Sequence, residues 1–145
     1  MRRWRNERGM ALVEAAMVMP ILLLISVGIF EFGRAYQTWQ VLTNAAREGA
    51  RTSTLATGAS TSVESRVRQY MQDGQLSGFA TAGVTVDRAA SITVNGAAQS
   101  ASQITIDYPF DFIVLQPVAQ LVAPATQAGS SLTIRASALM RNEAQ

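Results

Sequence analysis

The chain has no cysteine, no histidine and, among its 12 basic residues, no lysine. Without cysteine there is no disulfide framework. Without cysteine or histidine, thiolate and imidazole metal sites are excluded, as is every nucleophilic triad that depends on either residue. Charge is also scarce. Charged residues make up 15% of the sequence, against a usual value of about 25%. The net charge is only +2. A length of 145 residues fits about one domain, or one small domain plus an appendage. Apolar residues are plentiful at 48%, and they are unevenly placed.

Arg2, Arg3, Arg5 and Arg8 crowd the N-terminus, offset there only by Glu7. From Gly9 to Phe30 the only ionisable side chain is Glu14. As a helix, about 22 residues span roughly 33 Å, close to the hydrocarbon thickness of a bilayer. The arginines before this run would hold the N-terminus in the cytoplasm and export the rest. Three readings compete: a buried core helix, a signal peptide cut near Ser26-Val27-Gly28, and a retained membrane helix. Retention fits best, because Ile29, Phe30 and Phe32 carry the apolar run past that cleavage site. A carboxylate within a membrane helix costs about 2.5–3.5 kcal/mol, so Glu14 calls for an explanation. It could snorkel to the interface. Alternatively, a cut between Gly9 and Met10 would create an α-amine able to pair with it in the low-dielectric layer.

The helical pattern continues beyond the apolar run. Steps of three and four residues link Glu14, Val18, Ile21, Ile25, Gly28, Phe32, Ala35, Trp39, Leu42, Ala46 and Gly49 into an a/d-type seam. One helix over residues 10–55 is expected, with about 10–32 in the membrane and a kink at Pro20. The seam would face partner helices, pack on the rest of the chain, or do each over a different half. Arg47, Glu48 and Arg51 read either as a solvated charged face or as an interlock with the C-terminal strands or a partner.

Residues 52–62 read as a linker. Thr61 and Glu64 have capping-box spacing, and Val63, Val67, Tyr70 and Met71 form a short helical stripe ending near Gly74. The period then becomes two, in runs at Val84 and Val86, at Ile92 and Val94, at Ile104 to Tyr108, and at Leu132 to Met140. Asn95-Gly96 signals a hairpin, and Pro109 suggests an edge strand or a bulge. The apolar stretch from Ile113 to Val122 is either packed on the core or exposed for contact. The expected fold is α+β: a long N-terminal transmembrane helix, a second short helix and a small antiparallel sheet of three or four strands, the last two within an exported domain at 56–145. No phosphate-binding glycine loop or carboxylate cluster is present. Asp107 and Asp111 are too few for calcium, and the dispersed arginines leave no nucleic-acid footprint.

The basic leader, Gly9, Glu14 five positions on and the apolar helix together resemble the class III signal of type IV pilins and pseudopilins. Glu31-Phe32-Gly33-Arg34, followed by Leu42-Thr43-Asn44-Ala45-Ala46-Arg47-Glu48-Gly49-Ala50-Arg51, resembles the TadE-like proteins of tight-adherence (Tad/Flp) pili. The resemblance implies a type IV pilin-like fold and a leader at 1–9 that prepilin peptidase removes, leaving Met10 as the mature N-terminus. It makes Glu14 the acidic assembly position and Asn44, Arg47, Glu48, Gly49 and Arg51 the family motif. It implies a non-enzymatic minor pilin or pseudopilin with no cofactor and no metal. Its partners would be other pilin subunits, the peptidase, an inner-membrane assembly platform and membrane lipid. It would sit in the cytoplasmic membrane with its domain exported, or enter an extracellular pilus. The alternative is an anchored, exported binding module that does not polymerise. Removing residues 1–9 takes four of the 12 arginines and one of the 10 carboxylates, leaving 8 against 9.

Overall fold

The computed structural model describes residues 7–55, 60–117 and 131–142. In chain order the elements are α1 (Glu7–Thr54), α2 (Ser60–Asp73), β1 (Gly83–Val94), β2 (Ala97–Phe110) and β3 (Leu132–Arg141). The architecture is α+β. The long apolar helix is followed by a short one and by a small antiparallel sheet, as the sequence patterns predict. The leader residues 1–6 and the stretch 118–130, which includes the second half of the Ile113–Val122 run, lie outside the described residues.

At 48 residues, α1 is about 72 Å long. It runs unbroken through Pro20, which forfeits one backbone hydrogen bond without ending the helix. Its N-terminal half carries the window that qualifies as a membrane span, with a mean hydropathy of 2.4. Burial against the rest of the chain sets in at Glu31.

Val63, Val67 and Met71 recur every fourth residue on α2 and bury one stripe against α1. Tyr70, expected on that stripe, is exposed. Thr61 and Glu64 do not form a capping box, because α2 starts at Ser60 and Thr61 already lies within it. Glu64 instead accepts from Arg68 one turn on, at 2.8 Å. At the other end, the Gln75 amide donates to the Gln72 carbonyl and the Leu76 amide to the Met71 carbonyl. That is a Schellman closure. Gln75, with φ of 59°, takes the left-handed position there. Arg68 then holds the following loop by donating to the carbonyls of Phe79 (2.8 Å) and Ala80 (3.0 Å).

The sheet is an antiparallel meander in the order β1-β2-β3. Asn95 and Gly96, both at positive φ, make the tight turn that pairs Val94 with Ala97. The two runs at Val84 and Ile92 belong to one strand, so there are three strands and not four. A bulge between Asp87 and Ala90 joins them, and the Asp87 carboxylate caps it by accepting from the Ala89 amide at 2.9 Å. Pro109 lies in the central strand. It is tolerated because β1 pairs no further than Asp107, so β2 has a neighbour on one side only at that point. Ile104, Ile106, Tyr108 and Phe110 alternate onto the inner face with Ala136, and the distal half of α1 covers them.

Candidate functional site

The candidate functional surface is that of α1. The domain covers a face made by Glu31, Thr38, Leu42, Ala45, Ala46, Gly49, Ala50 and Ser53, with Arg34, Ala35 and Val41 half-buried at its margins. Small residues allow this close approach. A Cβ placed on Gly49 would stand 2.5 Å from Val67 Cγ2 and 3.4 Å from Ile104 Cγ2.

This face is turned from the seam predicted by heptad spacing. Ala35, Leu42, Ala46 and Gly49 lie on it. Phe32 and Trp39 lie off it and are exposed. A straight helix has 3.6 residues per turn and drifts about 20° per heptad against a 3.5-residue repeat. The buried line therefore passes through Glu31 and Thr38 instead of their neighbours. In the apolar half Val18, Ile21 and Ile25 are exposed and Gly28 is half-covered. Gly9 and Met10 lie exposed within the first turns of α1. Glu14 is exposed and has no partner among the described residues.

Glu31 belongs to the segment that carries the resemblance, but the helical seam passes it by and gives it no role. Its side chain is fully buried (0% exposed). The Val114 amide donates to Oε1 at 2.6 Å, the Leu115 amide also reaches the carboxylate, and Arg34 Nη1 donates to Oε2 at 2.8 Å. The Arg34 guanidinium in turn lies 5.0 Å from the centroid of the Phe110 ring, in cation–π geometry. A single carboxylate thus ties the segment after β2 to α1 at the level where the apolar run stops. A usable signal was present: Glu31, Ala35, Thr38, Leu42, Ala45 and Gly49 keep α-helical spacing, which puts a charge in line with a row of small residues. Beside the clamp, a half-open groove of about 400 Å³ is lined by Arg34, Thr38, Gln75, Tyr108, Asp111 and Ile113, among others.

At the far end of α1, Glu48 accepts from Arg51 (3.0 Å) and from Arg66 of α2 (3.3 Å). The interlock expected from Arg47, Glu48 and Arg51 therefore reaches the second helix, and the C-terminal strands take no part in it. Asn44 and Arg47 are exposed. The hydrogen bond from Arg51 is the main influence holding the Glu48 carboxyl below its ordinary range, against the opposing effect of burial, and Arg66 adds to it. On the outer face of the sheet, Arg135 grips Asp107 across the β2–β3 pair at 2.6 and 3.1 Å, which lowers the Asp107 pKa. That engagement takes Asp107 out of any cation site with Asp111. Asn142 closes the sheet: its amide donates to the Ser100 carbonyl, and its side chain bonds both Ser100 and the buried Ser102.

These groups pin elements together. Among the described residues, no three His, Cys, Asp or Glu side chains gather to hold a metal ion. The family model described as TadE-like protein matches residues 9–51, from the first turns of α1 to the Glu48–Arg51 pair. No curated protein and no solved structure matches the chain.

Proposed function

From the premise that residues 9–51 form a TadE-like segment, we propose that this chain is a structural minor pilin or pseudopilin of a tight-adherence pilus. The observation that carries this reading is the split of α1. Its first half is apolar and uncovered, with Glu14 unpartnered among the described residues, while one face of its second half is sealed by the chain's own domain. A helix exposed in this way is ready either to sit in lipid or to pack against helices of other subunits. In this reading prepilin peptidase cuts after Gly9 and frees the Met10 amine. Glu14 then pairs with the amine of a neighbouring subunit inside the apolar layer, where an unpaired charge is costly. The domain, held outside the cytoplasmic membrane, supplies the surface that selects partners. The family motif serves partly within the chain, through Gly49 and Glu48, and partly at the surface, through Asn44 and Arg47.

The test is the intact mass of the protein recovered from membranes with and without the peptidase. A mature chain starting at Met10, seen only when the peptidase is present, is the expected result. A chain starting at Met1 in both cases would leave an anchored module that does not polymerise. Glu14→Ala should preserve insertion and abolish pilus assembly; normal piliation would refute the pairing.

A further inference from the structure

We infer that the exposed aromatic flank of α1, formed by Phe32, Tyr36 and Trp39, is a lipid-headgroup contact that seats the domain directly on the bilayer surface. The inference rests on the reading that α1 spans a membrane.

The three side chains share one flank of the helix, at i, i+4 and i+7, and are 72%, 60% and 45% exposed. The Tyr36 and Trp39 rings lie 6.0 Å apart, so the flank is one continuous surface. It extends upward from Val18, Ile25 and Ile29, which are exposed on the same side of the apolar half. Polarity is graded along it. Purely apolar side chains end at Phe32, amphipathic rings follow at Tyr36 and Trp39, and Thr43 and Arg47 come next. A bilayer changes in the same order, from hydrocarbon through headgroups to water, and Trp and Tyr prefer its middle layer.

The heights agree. Headgroup layers add about 5–8 Å on each side of the hydrocarbon. The backbone of Tyr36 stands about 9 Å and that of Trp39 about 13.5 Å beyond Phe30 along the axis, above that layer, so the rings reach it by pointing back toward it. Helical side chains lean toward the helix N-terminus, which here points toward the membrane, and a tilt of about 20° toward this flank would lower it further.

Charge is handled consistently at the same level. Glu31 is buried against the Val114 amide, and Arg34 folds back over Phe110. Both charges nearest the apolar run are therefore turned toward the domain and away from the aromatic flank. Ile113, adjacent to the amide that Glu31 holds, is 59% exposed and gives the underside of the domain an apolar foot at about the same height.

The test uses the full chain carrying Trp4→Phe, which leaves Trp39 as the only tryptophan, in phosphatidylcholine vesicles containing lipids brominated either near the headgroup or near the chain end. A parallel chain carrying Trp4→Phe, Trp39→Phe and Leu23→Trp reports insertion. The expected result is blue-shifted Trp39 emission that the shallow bromines quench more than the deep ones, with the Leu23→Trp chain quenched most by the deep bromines. Trp39 emission open to aqueous acrylamide and untouched by either lipid, with the Leu23→Trp chain still quenched, would overturn the headgroup contact and leave the membrane helix standing. Trp39 shielded from both acrylamide and bromines would assign the flank to a protein partner and overturn it equally. A Leu23→Trp chain that no lipid quenches would remove the membrane reading and this inference together.

Discussion

The two halves of α1 are one unbroken helix built for opposite surroundings. Up to Phe30 most side chains are apolar and uncovered, and Leu22, Leu23, Leu24 and Ile25 are all exposed. Beyond Glu31 the covered positions are mostly small, namely Ala45, Ala46, Gly49 and Ala50, with Leu42 as the one large apolar residue fully enclosed. The lower half maximises apolar surface, as a segment solvated by lipid does. The upper half minimises side-chain volume so that a sheet and a second helix can come close. Hydrophobicity separates the two halves, and residue size separates the covered positions of the upper half from its exposed ones. Within the upper half, the enclosed apolar positions are mostly alanine and glycine, with Leu42 the large exception.

That contrast can be broken most sharply by trimming one leucine from each half. Leu42→Ala should destabilise the domain by about 2–5 kcal/mol, because it leaves a cavity in an enclosed core. Leu23→Ala should leave domain unfolding unchanged. Urea denaturation of both variants in nanodiscs, followed by near-ultraviolet circular dichroism, compares them directly. Equal losses would show that the halves are not energetically distinct.

The boundary between the halves is tested at Glu31. Glu31→Ala strands the Val114 and Leu115 amides and leaves Arg34 without its carboxylate. A cost of about 1–3 kcal/mol is expected for such orphaned groups. Hydrogen exchange should accelerate first at Val114 and Leu115, ahead of the β2–β3 pairs. Uniform acceleration across the sheet would mean that Glu31 supports the whole domain and does not act as a local clamp.

The smallest effect lies at the far end of the upper half. The Glu48 pKa is lowered in the folded state, so its pairing stabilises the domain fully above the unfolded carboxyl value. That contribution fades as pH drops below about 4.3 and through the folded value. Arg66→Ala should remove a few tenths of a kcal/mol at neutral pH, as partly exposed pairs do, and should flatten this part of the acid dependence. A variant whose pH profile matches the parent would place the effect elsewhere.

Much of this architecture could be read from residue order. The long helix follows from uninterrupted periodicity, and the hairpin from Asn95-Gly96, whose positive φ values only a few residue types accept readily. The shorter elements were legible where alternation is strict, as at Ile104, Ile106 and Tyr108. What escaped depended on contacts between distant residues. The run at Val84 and the run at Ile92 are one strand because Asp87 turns its own side chain onto the backbone at the bulge, which alternation does not reveal. Phe32 and Trp39 look like core residues by type and spacing, yet the seam drifts off the straight buried line, which at their level runs through Glu31 and Thr38. Glu31 carries a charge, and charges are rarely fully buried unless paired. Its partners, the amides of Val114 and Leu115, come from a segment 83 positions away and carry no side-chain signature.

The Glu31 clamp also makes the molecule a device with a fixed phase. Because it grips at the first residue above the apolar run, no swivel separates the domain from the helix beneath it. The compass bearing of the sheet around the helix axis is therefore written in the count of residues between the membrane half and position 31. One residue inserted there would rotate the whole domain by about 100° relative to the exposed lower flank and raise it by about 1.5 Å. Any neighbour that reads both surfaces at once is reading that count.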